Sequence, residues 1–302
     1  MNPAFSAYLY AFGANLCFGS ASIGFSKFAR NHSPLFINQI KVLIAFICFL
    51  LAAVFIEGFI SLPTMSIFYL MFSGFIGLFL ADSFMFKAFV ELGPSRTLMM
   101  FSLQPFLLGL YGYFFLSQSM NFFQFLAVFC MIACVFLVLL ERNRVTGVWA
   151  FRAFLVALLG VVFDALGVML SRQGFELSPN LGPFEANFYR AVGAIIGFMV
   201  FRPKSFLKIK KRFTALSTHD RKLSIMASII GTFISLSFYL KAIKTAHVAT
   251  LTAMTITGPI WVSLIEHVRE KTLPHRILWI ALVFFVAGFA FMTYGLYLNP
   301  TH

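Results

Sequence analysis

Charged side chains, and acidic ones above all, are scarce in this sequence. Charged residues make up 11% of the 302-residue chain, and only 10 residues are Asp or Glu. A soluble domain carries about 25% charged residues, so this chain has too few of them to cover a surface in contact with water. The composition therefore argues against a soluble protein.

Cysteine is rare as well, and familiar catalytic patterns are missing. The four cysteines all lie inside apolar stretches, which indicates small buried side chains rather than disulfides or metal ligands. No Cys/His cluster has metal-binding spacing, and no Ser/His/Asp set or glycine-rich phosphate loop occurs with usable spacing. We expect neither an enzyme nor a cofactor site. Nothing resembles a channel filter either.

Apolar residues are abundant in the sequence. They form 60% of the chain, 42 residues are Phe, and the mean hydropathy is +0.90. Apolar runs of about 20 residues recur, which is the length of a membrane-spanning helix, whereas a barrel would show short alternating segments. The sequence predicts an all-α integral membrane protein with ten spans, at 5–26, 35–56, 65–88, 97–116, 122–140, 152–172, 183–201, 224–243, 248–265 and 277–297. The first span has no basic residue before it, so we interpret it as a retained helix rather than a cleaved signal peptide.

The chain contains an internal repeat. Shifted by 154 positions, Gly231–Pro259 lies without a gap on Gly77–Pro105, and the front ends of the two halves correspond at a spacing of 149. The matches at 149 pair polar and special residues: Asn15 with Asp164, Ser22 with Ser171, Pro34 with Pro183, Asn38 with Asn187, and Lys41 with Arg190. With five spans in each half, the second copy enters the membrane in the opposite sense. We therefore predict an inverted repeat of residues 1–140 and 152–302, joined by a linker at 141–151.

Three motifs carry a resemblance to a known family. Spans 2 and 7 open with Pro-x6-Lys/Arg, at Pro34 and Pro183. A corner with the pattern Ala-x6-Ala/Ser precedes a mid-helix proline in each half, and a weakly kept Gly-x6-Gly marks the last helix of each half. On these features the chain resembles the drug/metabolite transporter superfamily, in its EamA-type branch, as a divergent member.

The resemblance implies a function. Members of this family move small organic solutes such as amino acids and other metabolites, often outward. We expect their cavity to be lined here by spans 1, 3, 4, 6, 8 and 9. We therefore expect a secondary transporter, an exporter or exchanger, in a bacterial cytoplasmic membrane. The alternatives are a translocase for membrane lipids or lipid-linked headgroups, which a laterally open, Phe-rich cavity would favour, and a non-transporting scaffold, which paired polar groups without a cavity would favour.

Three polar residues lie deep in predicted spans. A polar group in hydrocarbon is costly, so it must face the bundle interior or a wet cavity. Asn15 in span 1 and its repeat partner Asp164 in span 6 each lie on a stripe of Gly and Ser, which also suits close helix packing. Asp82 in span 3 is the second deep acid, with a Lys ion pair as its structural alternative. We predict that Asp164 binds a cationic group of the substrate or carries a coupling proton.

Matched proline breaks complete the candidate site. Pro105 and Pro259 cannot donate a backbone hydrogen bond, so each frees a carbonyl one turn earlier for a cavity or substrate. Gln104, Thr255 and Thr257 are expected at the same depth as substrate-binding residues, and Gly258 with the two prolines as helix breaks. Two aromatic residues are candidate walls of the same site, Tyr239 and Trp261.

The remaining basic residues lie mostly at span ends. Lys41 and Arg190 lie about two turns into their spans, where a structural role is favoured over a binding role, either at headgroups or with Asp82, Asp164 or Glu185. The segment 202–223 carries eight Lys/Arg and alternates them with bulky apolar residues, which predicts a position on the membrane surface. We expect anionic lipid headgroups rather than nucleic acid as the partner of this charge.

Overall fold

The computed structural model describes residues 3–101, 103–104, 107, 121–146, 151–245, 257–270 and 276–298. Helices dominate these ranges, and no strand occurs within them. In chain order the helices are α1 (Pro3–Asn31), α2 (Pro34–Ala52), α3 (Thr64–Gly74, continuing through Asp82–Leu92), α4 (Pro94–Phe101), α5 (Phe122–Thr146), α6 (Phe151–Glu176), α7 (Pro183–Phe201), α8 (Pro203–Leu207), α9 (Ile209–Thr214), α10 (Thr218–Ser228, continuing through Ser235–Thr245), α11 (Thr257–Glu270) and α12 (Arg276–Leu298).

Five of the described helices are long and apolar enough to cross a membrane. They are Pro34–Glu57, Thr64–Leu92, Phe151–Glu176, Pro183–Phe201 and Thr218–Ala242, and shorter apolar stretches run through α5 and α12. Large apolar side chains such as Phe55, Phe122 and Phe129 are more than half exposed on the outside of the bundle. Lipid can solvate such a surface, whereas water cannot. The predicted all-α membrane fold is confirmed.

Helix ends follow local chemistry. The Ser33 hydroxyl accepts from the Phe36 amide at 3.4 Å and Pro34 occupies the first turn, which together start α2. At the start of α7, the Glu57 carboxylate accepts from the Phe184 and Glu185 amides at 3.0 Å each. A glycine at the end of α3, Gly93, has φ of 88° and allows α4 to begin at once. The two repeats thus begin their second helices alike, with proline at the first turn.

Packing between helices interlocks the two halves. In the first half α1 lies against α10 and α11, and in the second half α6 lies against α3 and α4. The helices α2 and α7 pack on each other, as do α5 and α12. Every one of these contacts joins a helix to a helix of the other repeat, which is the arrangement expected of an inverted repeat about a pseudo-two-fold axis.

Each half contains a π-helical stretch at the equivalent place in its third span. Phe75–Ala81 interrupts α3 and Ile229–Ile234 interrupts α10, and their first residues are 154 positions apart. In α3 the Asn38 side-chain amide donates to the carbonyls of Leu78 and Phe79 at 3.1 and 3.3 Å, which uses backbone acceptors that the wider turn releases. Such π-bulges occur often at functional sites.

Candidate functional site

A cavity of about 140 Å³ lies inside the bundle, where the two repeats meet. Its walls come from α1, α2, α3, α4, α6, α7, α10 and α11, together with Gln104. We expected six spans to line a cavity, and the structure adds α2 through Lys41 and α7 through Arg190. Two acids and two bases therefore face one small space, so the formal charge of its lining cancels.

The lining follows the repeat. Six residues from the first half have equivalents in the second half, at a spacing of 149 or 154, that line the same cavity. The pairs are Asn15 with Asp164, Lys41 with Arg190, Leu78 with Thr232, Asp82 with Leu236, Met85 with Tyr239, and Gln104 with Gly258. A site lined by equivalent residues from both halves must lie on the pseudo-two-fold axis. That position is where transporters with inverted repeats bind their substrates.

Asp82 is paired with a lysine. Lys41 on α2 donates to the Asp82 carboxylate on α3, and both residues are buried. The same ammonium lies 5.2 Å from the centre of the Phe86 ring. A buried charge requires a partner, and Lys41 supplies the structural alternative that the sequence left open for Asp82. The pair still lines the cavity, so its charges remain next to any bound solute.

Asp164 lacks such a partner. Its carboxylate receives no hydrogen bond and no ion pair within the described part of the chain, and the side chain is half-buried at the cavity wall. The rest of the small-residue stripe on α6 packs against α3, where Gly167 lies against the Gly77 backbone and Ser73 donates to the Gly167 carbonyl at 2.7 Å. The stripe therefore serves packing, while Asp164 faces the open space.

Arg190 is held in place by neutral partners. Its Nε donates to the Ser73 hydroxyl at 3.1 Å and its Nη1 to the Asn187 amide oxygen at 3.2 Å. Only 2% of the residue is exposed. The sequence favoured a structural role for this arginine, yet the structure brings it to the cavity opposite Lys41. Lys41 and Arg190 occupy equivalent positions of the two repeats, and this equivalence was the signal in the sequence that both belong to one site.

Two buried polar atoms at the cavity wall have no hydrogen-bond partner among the described residues. They are Nε2 of Gln104 and Oγ1 of Thr232, on residues that are 7% and 2% exposed. Unpartnered buried polar atoms are costly, so their presence indicates groups that a solute or water satisfies. Thr232 was not among the predicted site residues. It lies in the π-helical stretch of α10, which the apolar pattern alone does not reveal.

A family model supplies the comparison that decides the class of protein. The model of the EamA-like transporter family matches residues 5–140 and 151–294, so each repeat is covered by its own match. The chain belongs to the EamA-like transporter family. The predicted resemblance is thereby confirmed, and with it a membrane transporter of the drug/metabolite type. A search of curated proteins finds no match.

A solved crystal structure supports the fold of this EamA-like transporter. It aligns over 96% of this chain and 98% of its own, with a TM-score of 0.66 and 17% sequence identity. At that identity the likeness establishes the fold and nothing further. The alignment includes both repeats, so the interlocked arrangement is shared along nearly the whole length of the two chains.

The predicted site residues of this EamA-like transporter fall into three groups. Five of the eight substrate-binding candidates line the cavity: Asn15, Asp82, Gln104, Asp164 and Tyr239. The helix-break residues Gly258 and Pro259 line it too. Thr255, Pro105 and the side chain of Thr257 lie outside the described residues.

Trp261 is placed differently from the expectation. It does not line the cavity: its indole N–H donates to the Ser20 hydroxyl at 2.9 Å, and 37% of the residue is exposed. Residues two positions apart on a helix point in nearly opposite directions, so Trp261 turns away from the side on which Pro259 reaches the cavity and lies against α1 near Gly19. Its role in the structure is to join α11 to α1.

Proposed function

We propose that this protein is a secondary transporter, an exporter or exchanger, that carries a small organic metabolite by alternating access around the central cavity. The observation that carries the proposal is the position of the cavity on the repeat axis, with equivalent residues of both halves in its wall. A site on that axis can be exposed to either side by the same motion run in opposite senses.

The packing suggests which helices move together. Because α1 lies against α10 and α11, and α6 lies against α3 and α4, each rocking unit combines helices from both repeats. One unit contains α1, α2, α10 and α11, and the other contains α3, α4, α6 and α7. The boundary between the two units therefore does not coincide with the boundary between the two halves of the sequence. The ion pair of Lys41 and Asp82 then joins the two units across the cavity.

The lining also suggests how a solute is held. Asp164 offers a carboxylate that accepts no hydrogen bond from the described residues, and Gln104 Nε2 offers an amide donor at the same cavity wall. A compact solute with a cationic group for Asp164 and an acceptor for Gln104 satisfies both. A proton and a cationic solute would compete for the Asp164 carboxylate, which links the binding of a cation to proton release.

The alternative functions have less support. A lipid translocase would need a laterally open cavity rich in Phe, whereas the only phenylalanines among the described lining residues are Phe18 and Phe101. A scaffold would leave no cavity and would pair each deep polar group. Asp82 is paired, but Asp164 has no partner in the described ranges.

Transport by purified protein tests the proposal directly. In sealed vesicles without ATP, we expect the protein to exchange or release radiolabelled compounds from a panel of small metabolites that carry an amine. The rate should exceed that of empty vesicles at least tenfold for the accepted compounds, because a gradient alone drives a secondary transporter. Counterflow of labelled against unlabelled solute gives the measurement.

The matched control is the same protein, shown to be folded by its melting curve, in vesicles without a gradient or an exchange partner. A requirement for ATP hydrolysis would refute the secondary mechanism. A flat result across a broad panel with folded protein would refute transport of small metabolites.

Charge distribution predicts the orientation in the membrane. The connections after spans 1, 3, 5, 7 and 9 contain or adjoin 18 Lys/Arg, whereas the other side, including both termini, has three: Arg172, Lys241 and Lys244. Basic residues near helix ends are retained in the cytoplasm. We therefore expect both termini outside, against the usual orientation of ten-span members of the family. A reporter active only in the cytoplasm should stay dark after His302 and be active near Ser217.

Removal of the long basic segment from the count leaves a ratio of 10 to 3, so the expectation does not depend on it. The opposite reporter pattern would restore the usual family orientation. Both fusions need to reach the membrane in equal amounts, which an immunoblot of the membrane fraction checks.

A further inference from the structure

The segment 202–223, which contains α8, α9 and the start of α10, folds into a platform on one end of the bundle. Within it Phe206 is 7% exposed and stacks on Phe198 with ring centres 6.1 Å apart and an angle of 2° between planes. Ile209 and Phe213 pack against the cluster of buried residues on α1, α2 and α3. Its apolar side chains therefore fasten the segment to the protein, and its basic side chains point elsewhere.

Polar contacts lock this platform to α2. The Arg212 guanidinium lies 4.0 Å from the centre of the Phe36 ring, and its Nη1 donates to the Ser205 hydroxyl at 3.3 Å. Ser205 in turn donates to the amide oxygen of Gln39 at 3.2 Å. Arg212 is thus used for anchoring, as are the aromatic residues. A platform held at several points fixes the backbone from which its remaining cations extend, which reduces the entropy lost on binding.

Six other cations of the platform are exposed. They are Arg202, Lys204, Lys208, Lys210, Lys211 and Lys222. The one acid of the segment, Asp220, is already engaged, since it accepts from His32 Nε2 at 3.1 Å and from the Ser217 hydroxyl at 3.0 Å. None of the six cations forms an ion pair within the described part of the chain. The platform is therefore a strongly positive surface with no internal counter-charge.

The position of the platform indicates where a negatively charged partner would come from. It directly follows the membrane helix α7, and Phe201 and Leu207 beside its cations are 60% and 80% exposed. Apolar and cationic side chains side by side match the boundary where acyl chains meet headgroups. The equivalent connection of the first half, between α2 and α3, contains no such helices, so the platform marks one face of the membrane only.

We infer that this platform binds the phosphate groups of anionic phospholipids in the adjacent leaflet, and that Lys208, Lys210 and Lys211 are its principal contacts. The inference does not depend on what the central cavity carries. A lysine near an anionic membrane surface strengthens binding about fivefold, so three lysines together account for a preference of about a hundredfold.

Lipid titration of the full-length protein in neutral detergent tests the inference. The probe is short-chain phosphatidylglycerol, with phosphatidylcholine of the same chain length for comparison. We expect tighter binding of the anionic lipid by wild type, and a loss of about a hundredfold in that preference when Lys208→Gln, Lys210→Gln and Lys211→Gln are combined. Arg172→Gln is the matched control, because Arg172 is exposed, pairs with Glu176 and belongs to the opposite face.

Melting curves show whether the triple variant remains folded, which the exposure of all three side chains predicts. The inference is overturned if the folded triple variant keeps its preference, or if Arg172→Gln reduces it equally. Displacement of the lipid by millimolar inorganic phosphate alone would assign the surface to a soluble anion, and tighter binding of an RNA oligonucleotide than of the anionic lipid would assign it to nucleic acid. Either result replaces the lipid as partner.

Discussion

Asp164→Asn is expected to lower transport by about 10- to 100-fold while the protein stays folded. The change keeps the shape of the side chain and removes its charge. A hydrogen bond to a charged group contributes about 1.5–3 kcal/mol, which corresponds to that loss in rate or affinity. Because no described residue donates a hydrogen bond to this carboxylate, the substitution breaks no hydrogen bond among them, and we expect a smaller change in melting temperature than for Asp82→Asn.

The pH dependence of transport separates the two roles of Asp164. If its carboxylate binds and releases a proton in each cycle, the variant should lose the pH dependence of the wild type. If it only attracts a cationic solute, the variant should show a raised KM at every pH. Initial rates measured in vesicles over a range of pH and solute concentration distinguish these results. Wild-type rates and pH dependence in Asp164→Asn would show that the carboxylate is structural.

Asp82→Asn provides the contrast, because the same substitution at the other deep acid removes the partner of a buried lysine. Loss of one member of a buried ion pair costs about 3–5 kcal/mol, so this variant should lose stability first and transport mainly through it. The double variant Asp82→Asn with Lys41→Met should regain the wild-type melting temperature, since the lysine that lost its partner is then also removed. Opposite patterns for the two aspartates would assign the pairing role to Asp82 and the solute role to Asp164.

Much of the architecture follows from the sequence for a physical reason. Membrane spans must be continuous and apolar, so the hydropathy of the sequence predicts where they lie. An inverted repeat leaves matched polar residues at a fixed spacing. The pairs of Asn15 with Asp164 and of Lys41 with Arg190 were visible in this way before any coordinates. The family match over both repeats confirms the fold class.

The site was harder to predict because it depends on direction and depth. Lys41 and Arg190 were assigned a structural role, either at the headgroups or with Asp82, Asp164 or Glu185, and the sequence alone did not distinguish these positions. Only the packing of α2 on α7 shows that both turn inward instead. Thr232 faces the cavity from a π-helical stretch, where the 3.6-residue period on which face assignment rests does not hold.

Trp261 is a residue that the sequence assigned to the cavity and the structure places outside it. It was predicted, with Tyr239, as an aromatic wall of the site that Pro259 lines. Two residues on one helix turn point in different directions, however, and no apolar pattern in α11 distinguished the cavity side from the side that meets α1. The hydrogen bond from its indole to Ser20 fixes that orientation, and it required a partner 241 positions away.

Gly193→Leu is expected to prevent folding, because α3 and α7 cross with their backbones in contact. A Cβ atom added at Gly193 would overlap the backbone of Met71, and one added at Gly74 would overlap the backbone of Arg190. The obstacle in both cases is main chain, which cannot turn aside as a side chain can. Close crossings of this kind depend on small residues at the contact. The helices would have to separate, and Arg190 would move away from the cavity with α7.

Gly193→Ala gives a graded version of the same test. Alanine favours a helix over glycine by about 1 kcal/mol, while overpacking a tight contact costs about 1–3 kcal/mol or more. With a backbone obstacle the cost should prevail, so we expect a melting temperature several degrees lower in detergent and weaker transport per folded molecule. Gly24→Ala is the matched control, since its Cβ would meet only the side chains of Leu223 and Ala227, at 3.3 and 3.4 Å. That variant should be neutral or stabilised. Equal melting temperatures for the two alanine variants would contradict the close crossing of α3 and α7, and with it the placement of Arg190 in the cavity wall.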